Sequence, residues 1–185
     1  MAFITAAELK NWPLPVTDKQ WQLIEGAGAY IDTFIETATQ NIKDYTEHDF
    51  ELTEYTERIQ GNNRAKLYLN EYPVVEISEI YGTDVYQNIR TVEPSGLIVD
   101  GKAGLVEWVD KFRNLWFREY IWTVTYTAGY ATIPGPIKHA TGLETIKLLQ
   151  PLFRGGTNFN QVALVEDIDE QIVDLLYKYK RNRIG

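Results

Sequence analysis

Cysteine is absent from the 185 residues. That removes disulfides, thiol catalysis and every thiolate metal site. Imidazole is nearly absent too: His48 and His139 are the only histidines, so neither a multi-histidine metal centre nor His-based catalysis is expected. No apolar run approaches the ~20 residues of a membrane span. The opening MAFITAAELK lacks the basic end and apolar stretch of a signal peptide. A soluble chain made in a cytoplasm, with no membrane partner, is the expectation. Positive charge is in short supply: 18 Lys and Arg stand against 26 Asp and Glu, a formal charge of -8. Wrapping of nucleic acid needs the opposite balance. No Gly-rich phosphate loop, G-x-S-x-G elbow or H-E-x-x-H motif occurs. No enzyme, no cofactor and no metal are expected.

What is present is core material and aromatics. Hydrophobic residues make up 44% of the chain, enough for a real core. Twelve Tyr, five Trp and seven Phe supply core volume, and Tyr and Trp are also preferred interface anchors. The few cations are unevenly placed. Lys178, Lys180, Arg181 and Arg183 fall in the last eight residues with no acid among them, which leaves the rest of the chain at -12.

The order of patterns predicts an α+β fold: a helical core, made of a long N-terminal helix and C-terminal helices, with an inserted antiparallel β region. Thr5 followed by Glu8 has capping-box spacing, and a short helix over about 6–12 follows until Pro13 and Pro15. Thr17 and Gln20 repeat the box. Trp21, Ile24, Gly28, Ile31, Ile35, Ala38, Ile42 and Tyr45 then share one face of a helix over about 18–44. From about 50 to 130 the period shortens. Leu52–Gln60 and Ala65–Leu69 flank Gly61-Asn62-Asn63-Arg64, which predicts a hairpin. Val74–Tyr81 is a third strand. Leu97–Val99 and Leu105–Val109 flank residues 100–104 as a second hairpin. Trp122, Val124 and Tyr126 alternate with threonines as a strand with one buried face. Helix resumes over about 136–153, with Ile137, Ala140, Leu143, Ile146 and Leu149 as its stripe. The organisation expected is one domain over 1–153, then a hinge at Gly155-Gly156 and a C-terminal helix and tail over 154–185.

Few residues invite a chemical reading. His48 lies among Asp44, Glu47, Asp49 and Glu51, the best metal candidate, but a lone His among acids at a helix end reads as a solvated cluster. His139, early on a helix, reads as a packing or polar-face residue. Glu166, Asp167, Asp169 and Glu170 could form a general acid/base pair, yet their place at a helix start already explains them. Trp108, Trp116, Phe117 and Trp122 are candidate subunit-interface anchors; a sugar-stacking platform in a carbohydrate- or receptor-binding module is the alternative. The segment Lys111–Arg118 mixes bulky apolar and cationic residues without clean periodicity, which favours an arm packing on another chain.

Three blocks carry a family resemblance. The first is Thr5-Ala6-Ala7-Glu8-Leu9-Lys10-Asn11-Trp12, a proline-containing link, Thr17-Asp18 and the long helix. The second is Leu67-Tyr68-Leu69-Asn70-Glu71-Tyr72-Pro73-Val74-Val75-Glu76-Ile77. The third is Val124-Thr125-Tyr126-Thr127-Ala128-Gly129-Tyr130, with Ile133-Pro134 and Ile137-Lys138-His139-Ala140 after it. In this order the blocks resemble the head–tail connector (adaptor, head-completion) proteins of tailed bacteriophages, over about residues 5–150. The resemblance implies a structural virion protein at the head–tail junction, assembled in the host cytoplasm. It implies a ring of neighbouring adaptor subunits, commonly a dodecamer, below the portal protein. Such a ring would meet a tail-side neck or tail-terminator protein and pass genomic DNA without specific binding. It further implies portal docking by the C-terminal segment. By position and composition that role falls on Ile172, Leu175, Leu176, Tyr179, Lys178, Lys180, Arg181 and Arg183. Acids between residues 44 and 57 are expected to line the channel, since a cationic lining would hold phosphates.

Overall fold

Thr5 opens the first helix as its spacing to Glu8 predicts. Its Oγ1 accepts from the Glu8 N–H at 3.2 Å, while Glu8 Oε2 accepts from the Thr5 N–H at 2.9 Å, closing the reciprocal capping box. In the computed structural model, which describes residues 2–12, 21–22, 30–110, 113–114, 121–153 and 161–180, this helix is α1, Ala6–Asn11. The fold is α+β, and its contacts divide the chain into two compact units, Met1–His48 with Ile133–Gly185, and Asp49–Thr132.

The first unit is helical. α2 spans Tyr30–Thr46 and buries Ile31, Ile35, Ala38 and Ile42, four positions of the predicted stripe; Trp21 and Gln22 are also helical. Residues 23–29 and the Thr17–Gln20 box lie outside the described residues. α3, Gly135–Leu149, begins with Pro136 in its first turn, where the missing N–H costs nothing. A 3₁₀ turn over Gln150–Phe153 follows it.

The sequence pattern gives α3 a single apolar stripe, but the helix is buried on more sides than that. Thr141, Glu144 and Thr145 are interior along with Ile137, Ala140, Leu143, Ile146 and Leu149. The reason is that α3 packs against both α2 and α4, Gln161–Leu176. Its buried hydroxyls are satisfied within the helix: Thr141 Oγ1 donates to the Ile137 carbonyl at 2.8 Å, and Thr145 Oγ1 to the Thr141 carbonyl at 2.7 Å. α4 therefore belongs to the helical unit. The Gly155-Gly156 hinge lies outside the described residues.

The second unit has two sheets. The strands are β1 Thr53–Gln60, β2 Lys66–Tyr68, β3 Val74–Thr83 and β4 Ile89–Thr91, then β5 Leu97–Asp100, β6 Leu105–Asp110, β7 Arg113–Asn114 and β8 Ile121–Ala128. One sheet runs β1-β8-β3-β4 and the other β2-β6-β5, with β7 beside β6. Side chains from both sheets, including Ile77, Ile80, Trp122 and Val124 from one and Leu67, Val106 and Trp108 from the other, form a single core.

The β5–β6 hairpin forms as expected, Leu97 opposite Trp108 and Asp100 opposite Leu105. β8 alternates as its sequence does, with Trp122, Val124 and Tyr126 inward. The first predicted hairpin is corrected. Its turn exists: Asn62 Oδ1 accepts from the Arg64 N–H at 3.0 Å, and Asn62 Nδ2 donates to the Lys66 carbonyl at 3.1 Å. Yet β1 pairs with β8 and β2 with β6. The turn reverses the chain, and burial of Ile59 and Leu67 in the shared core sends the two strands into different sheets.

Candidate assembly surfaces

The tryptophans expected at a subunit interface are interior. Trp122 is fully buried and Trp108 nearly so. Their rings meet edge to face with centroids 5.8 Å apart, a favoured aromatic geometry. The Arg90 guanidinium caps Trp108 at 4.7 Å. Neither indole is free to reach another chain or a sugar, which corrects both readings for these two residues. Trp116 and Phe117 lie outside the described residues. Gly82 explains how so large a ring fits: it stands opposite Trp122 in the ladder, and a Cβ there would come within 3.1 Å of the indole.

The C-terminal stripe is also largely interior. Ile172 and Leu176 are buried, with Ile168, and Leu175 and Tyr179 are half-buried. A stripe already covered by its own unit cannot be the surface that takes a partner, and this corrects the assignment of Ile172 and Leu176. Lys178 and Lys180 are exposed. Arg181 and Arg183 lie outside the described residues. Lys180 Nζ rests 4.7 Å from the Tyr45 ring centroid, so the basic end begins beside α2.

His48 is buried whereas Asp44, Glu47 and Asp49 around it are exposed, so the solvated-cluster reading is corrected for the imidazole alone. Among the described residues no group of three or more His, Asp or Glu gathers to hold a metal ion. His139 is a packing residue. Its ring meets Trp12 at 5.3 Å, and burial lowers its pKa. α4 starts at Gln161 and carries no acid in its first turn, so the helix-start explanation of Glu166, Asp167, Asp169 and Glu170 is corrected. Asp169 is paired with Lys147 at 2.7 Å, and Glu170 is exposed.

Three exposed features were not singled out in the sequence. The first is the tip between β3 and β4. Asp84 Oδ1 accepts from the N–H groups of Tyr86 and Asn88, both at 2.8 Å, and Asp84 Oδ2 accepts from Asn88 Nδ2 at 2.8 Å. These bonds, the Asn88 side chain first among them, hold the Asp84 carboxyl below its usual pKa. The turn so ordered presents Val85, 87% exposed, Tyr86, 83%, and Ile89, 69%. The Asp84…Asn88 spacing was the available signal, since such side chains nucleate turns.

The second feature is the outer face of β1-β8-β3. Glu54, Glu76 and Glu79 are exposed there around the paired Thr125 and Thr127. The third is a groove of about 370 Å³ between α2 and α4 with three carboxylates in its lining, Asp44, Glu144 and Asp169.

The β unit is braced by a polar joint at the edge of its core. The Tyr126 hydroxyl donates to Glu57 Oε1 and accepts from the Glu71 N–H at 3.0 Å. Glu57 Oε2 in turn accepts from the backbone and side-chain N–H groups of Asn70 at 3.1 and 2.9 Å. Burial first, then the Glu57 carboxylate, raises the Tyr126 pKa, so the phenol stays a donor. At the end of β8, Gly129 takes φ of 108°, where a Cβ would collide with the Glu51 carbonyl. The Tyr130 N–H then donates to the Phe50 carbonyl at 3.0 Å. The Ala-Gly-Tyr of the third block is thus a strand-ending device.

Comparison with known proteins adds a family and a fold. The head completion protein family matches residues 4–145. No curated protein matches the sequence. Among solved structures, a chain of the neck of an empty GTA particle computed with C6 symmetry is similar at 12% identity. It covers 99% of this chain and 92% of that one, with a TM-score of 0.58. A chain of the neck of a native GTA particle computed with C12 symmetry follows at 13% identity, 98% and 95% coverage and a TM-score of 0.57. A chain of the virion of a native gene transfer agent particle gives 12%, 99%, 92% and 0.57. At such identities the likeness is one of fold.

Proposed function

We propose that this chain, which belongs to the head completion protein family, is a head–tail adaptor that forms a ring below the portal, extends the DNA channel and joins head to tail. It is a structural protein of the virion head–tail junction. The observation that carries the adaptor reading is the extent of the likeness: chains from assembled necks match 98–99% of the residues here, helical and β units included. The C6 and C12 symmetry of those necks supports a closed ring of this chain, twelve copies being the number proposed. Closed cyclic symmetry reuses one interface without leaving free ends.

The partners proposed are the portal protein, neighbouring copies, a tail-side neck or tail-terminator protein, and genomic DNA in passage. The exposed acids Glu54, Glu76 and Glu79 support a surface over which phosphates slide. The portal-facing end is proposed at exposed Tyr177, Lys178 and Lys180, continued in sequence by Arg181 and Arg183. Ile172 and Leu176 are left out because they are interior. The carbohydrate- or receptor-binding alternative loses Trp108 and Trp122 to the core and has no other observation in its favour.

Imaging the purified chain mixed with its cognate portal tests the proposal. Closed rings seated on the portal are expected. A filament, or a single copy per portal, would overturn it.

A further inference from the structure

We propose that the groove between α2 and α4 is a docking site for a basic, aliphatic-anchored peptide segment of another protein of the junction. The inference rests on the head–tail reading and adds the chemistry of one partner.

The groove encloses about 370 Å³, within the range of roughly 300–1,000 Å³ over which pockets hold ligands. Tyr45 and Val173 are the lining residues that expose apolar surface, and Asp44, Glu144 and Asp169 supply carboxylates. Lys147 is the one cation in that lining, and it is already engaged, 2.7 Å from Asp169 and 3.4 Å from Glu144. Glu144 is buried and further held by Asn41 Nδ2 at 2.8 Å.

With Lys180 over the Tyr45 ring at the rim, three carboxylates face two ammonium groups, and the groove keeps a net negative charge. It therefore repels acidic peptides and phosphates and attracts Lys or Arg. The rim shows how such a cation is received, because Lys180 Nζ already lies over the Tyr45 ring at 4.7 Å. A metal ion is a poor fit, as Lys147 occupies the space between two of the carboxylates. An aliphatic side chain on the apolar lining, flanked by cations reaching Asp44 and Asp169, matches both the shape and the charge.

Fluorescence anisotropy on the full chain is the test, with a labelled Lys-Leu-Arg-Ile-Lys peptide and its Glu-Leu-Asp-Ile-Glu counterpart as probes. The basic peptide should bind, more weakly as salt rises, and the acidic one should not. Asp44→Lys reverses a groove charge, and Val173→Arg fills the groove with a tethered cation; each should weaken binding at least about tenfold. Glu54→Lys and Glu79→Lys make the same charge change as Asp44→Lys on the β-sheet and should stay within about twofold. Equal loss in Glu79→Lys, equal binding of the acidic peptide, or no binding of the basic one would overturn the proposal. Circular dichroism verifies that each variant is folded. Ring formation on the portal is scored separately and uses no peptide, so failure here and failure of the adaptor reading are distinct results.

Discussion

Lys147 Nζ lies 2.7 Å from Asp169 Oδ1, a bond that ties α4 to α3. Beneath it Ile168, Ile172 and Leu176 are buried, so α4 helps cover α3. Leu176→Ala should cost about 2–5 kcal/mol, the range for a buried leucine truncated to leave a cavity. A chain cut after Gly155 should melt at lower temperature and lose solubility, because it uncovers α3. Urea denaturation of the variant and a thermal scan of the truncated chain check this. A truncated chain that melted like the full one would show that α4 adds nothing to the fold.

Acid should loosen α1 first. Glu8 has a lowered pKa, chiefly through the Lys138 hydrogen bond, helped by the Thr5 N–H. A carboxyl of this kind contributes stability above its unfolded value of 4.5, lost as pH falls through the lower folded value. His139, lowered by burial from 6.5, acts in the same direction from a higher pH, since the folded state prefers its neutral ring. Both groups sit where α1 meets α3. The hydrogen-exchange protection factor of the Leu9 amide, which donates to the Thr5 carbonyl at 2.9 Å, should fall between about pH 6 and 4 before global unfolding.

Alkali has its own signature. Burial pulls the Lys147 pKa down, but the Asp169 hydrogen bond and the Glu144 and Asp169 charges outweigh it, so the pKa stands above 10.5. Its contribution is complete below 10.5 and lost as pH rises through the folded value. Lys147→Met should flatten the alkaline limb of a stability–pH curve.

Gly82→Ala should destabilise the β unit by roughly 1–3 kcal/mol, the usual cost of overpacking. The added Cβ would press on the Trp122 indole at 3.1 Å, and that ring is fully buried. Tyr126→Phe should cost about 1–3 kcal/mol by leaving Glu57 and the Glu71 N–H each short of a partner. Denaturant midpoints measure both, with Tyr81→Phe, a residue away from this joint, expected to stay near wild type.

At the β3–β4 tip the expectation is the reverse. Val85→Ser with Tyr86→Ser should leave stability within about 0.5 kcal/mol, since both side chains stand in solvent. If the tip takes part in ring or tail contacts, the double variant melts normally and still forms fewer complete junctions by negative-stain counting.

Helices and single strands were legible wherever the signal was local. The capping box at Thr5, the 3–4 spacing of Ile31, Ile35, Ala38 and Ile42, and the alternation of Trp122, Val124 and Tyr126 each state which face is apolar. That much follows from backbone periodicity alone. β3 was harder in detail. Its inward residues Val74, Ile77 and Ile80 are three apart because register shifts between Val74/Glu76 and Ile77/Glu79 re-phase the strand. A bulge leaves little trace in sequence.

The α+β class, the acidic and cysteine-free character, the element types and the family can all be read from the residues alone. All of these are carried by composition, short-range spacing and the order of blocks. Which strands pair, that Trp108 and Trp122 are core, and that Ile172 and Leu176 are covered by their own unit follow from the packing in three dimensions. An apolar face declares that it must be buried, and a turn declares that the chain reverses. Neither names the surface that will meet it, because that choice depends on contacts between residues far apart in the chain.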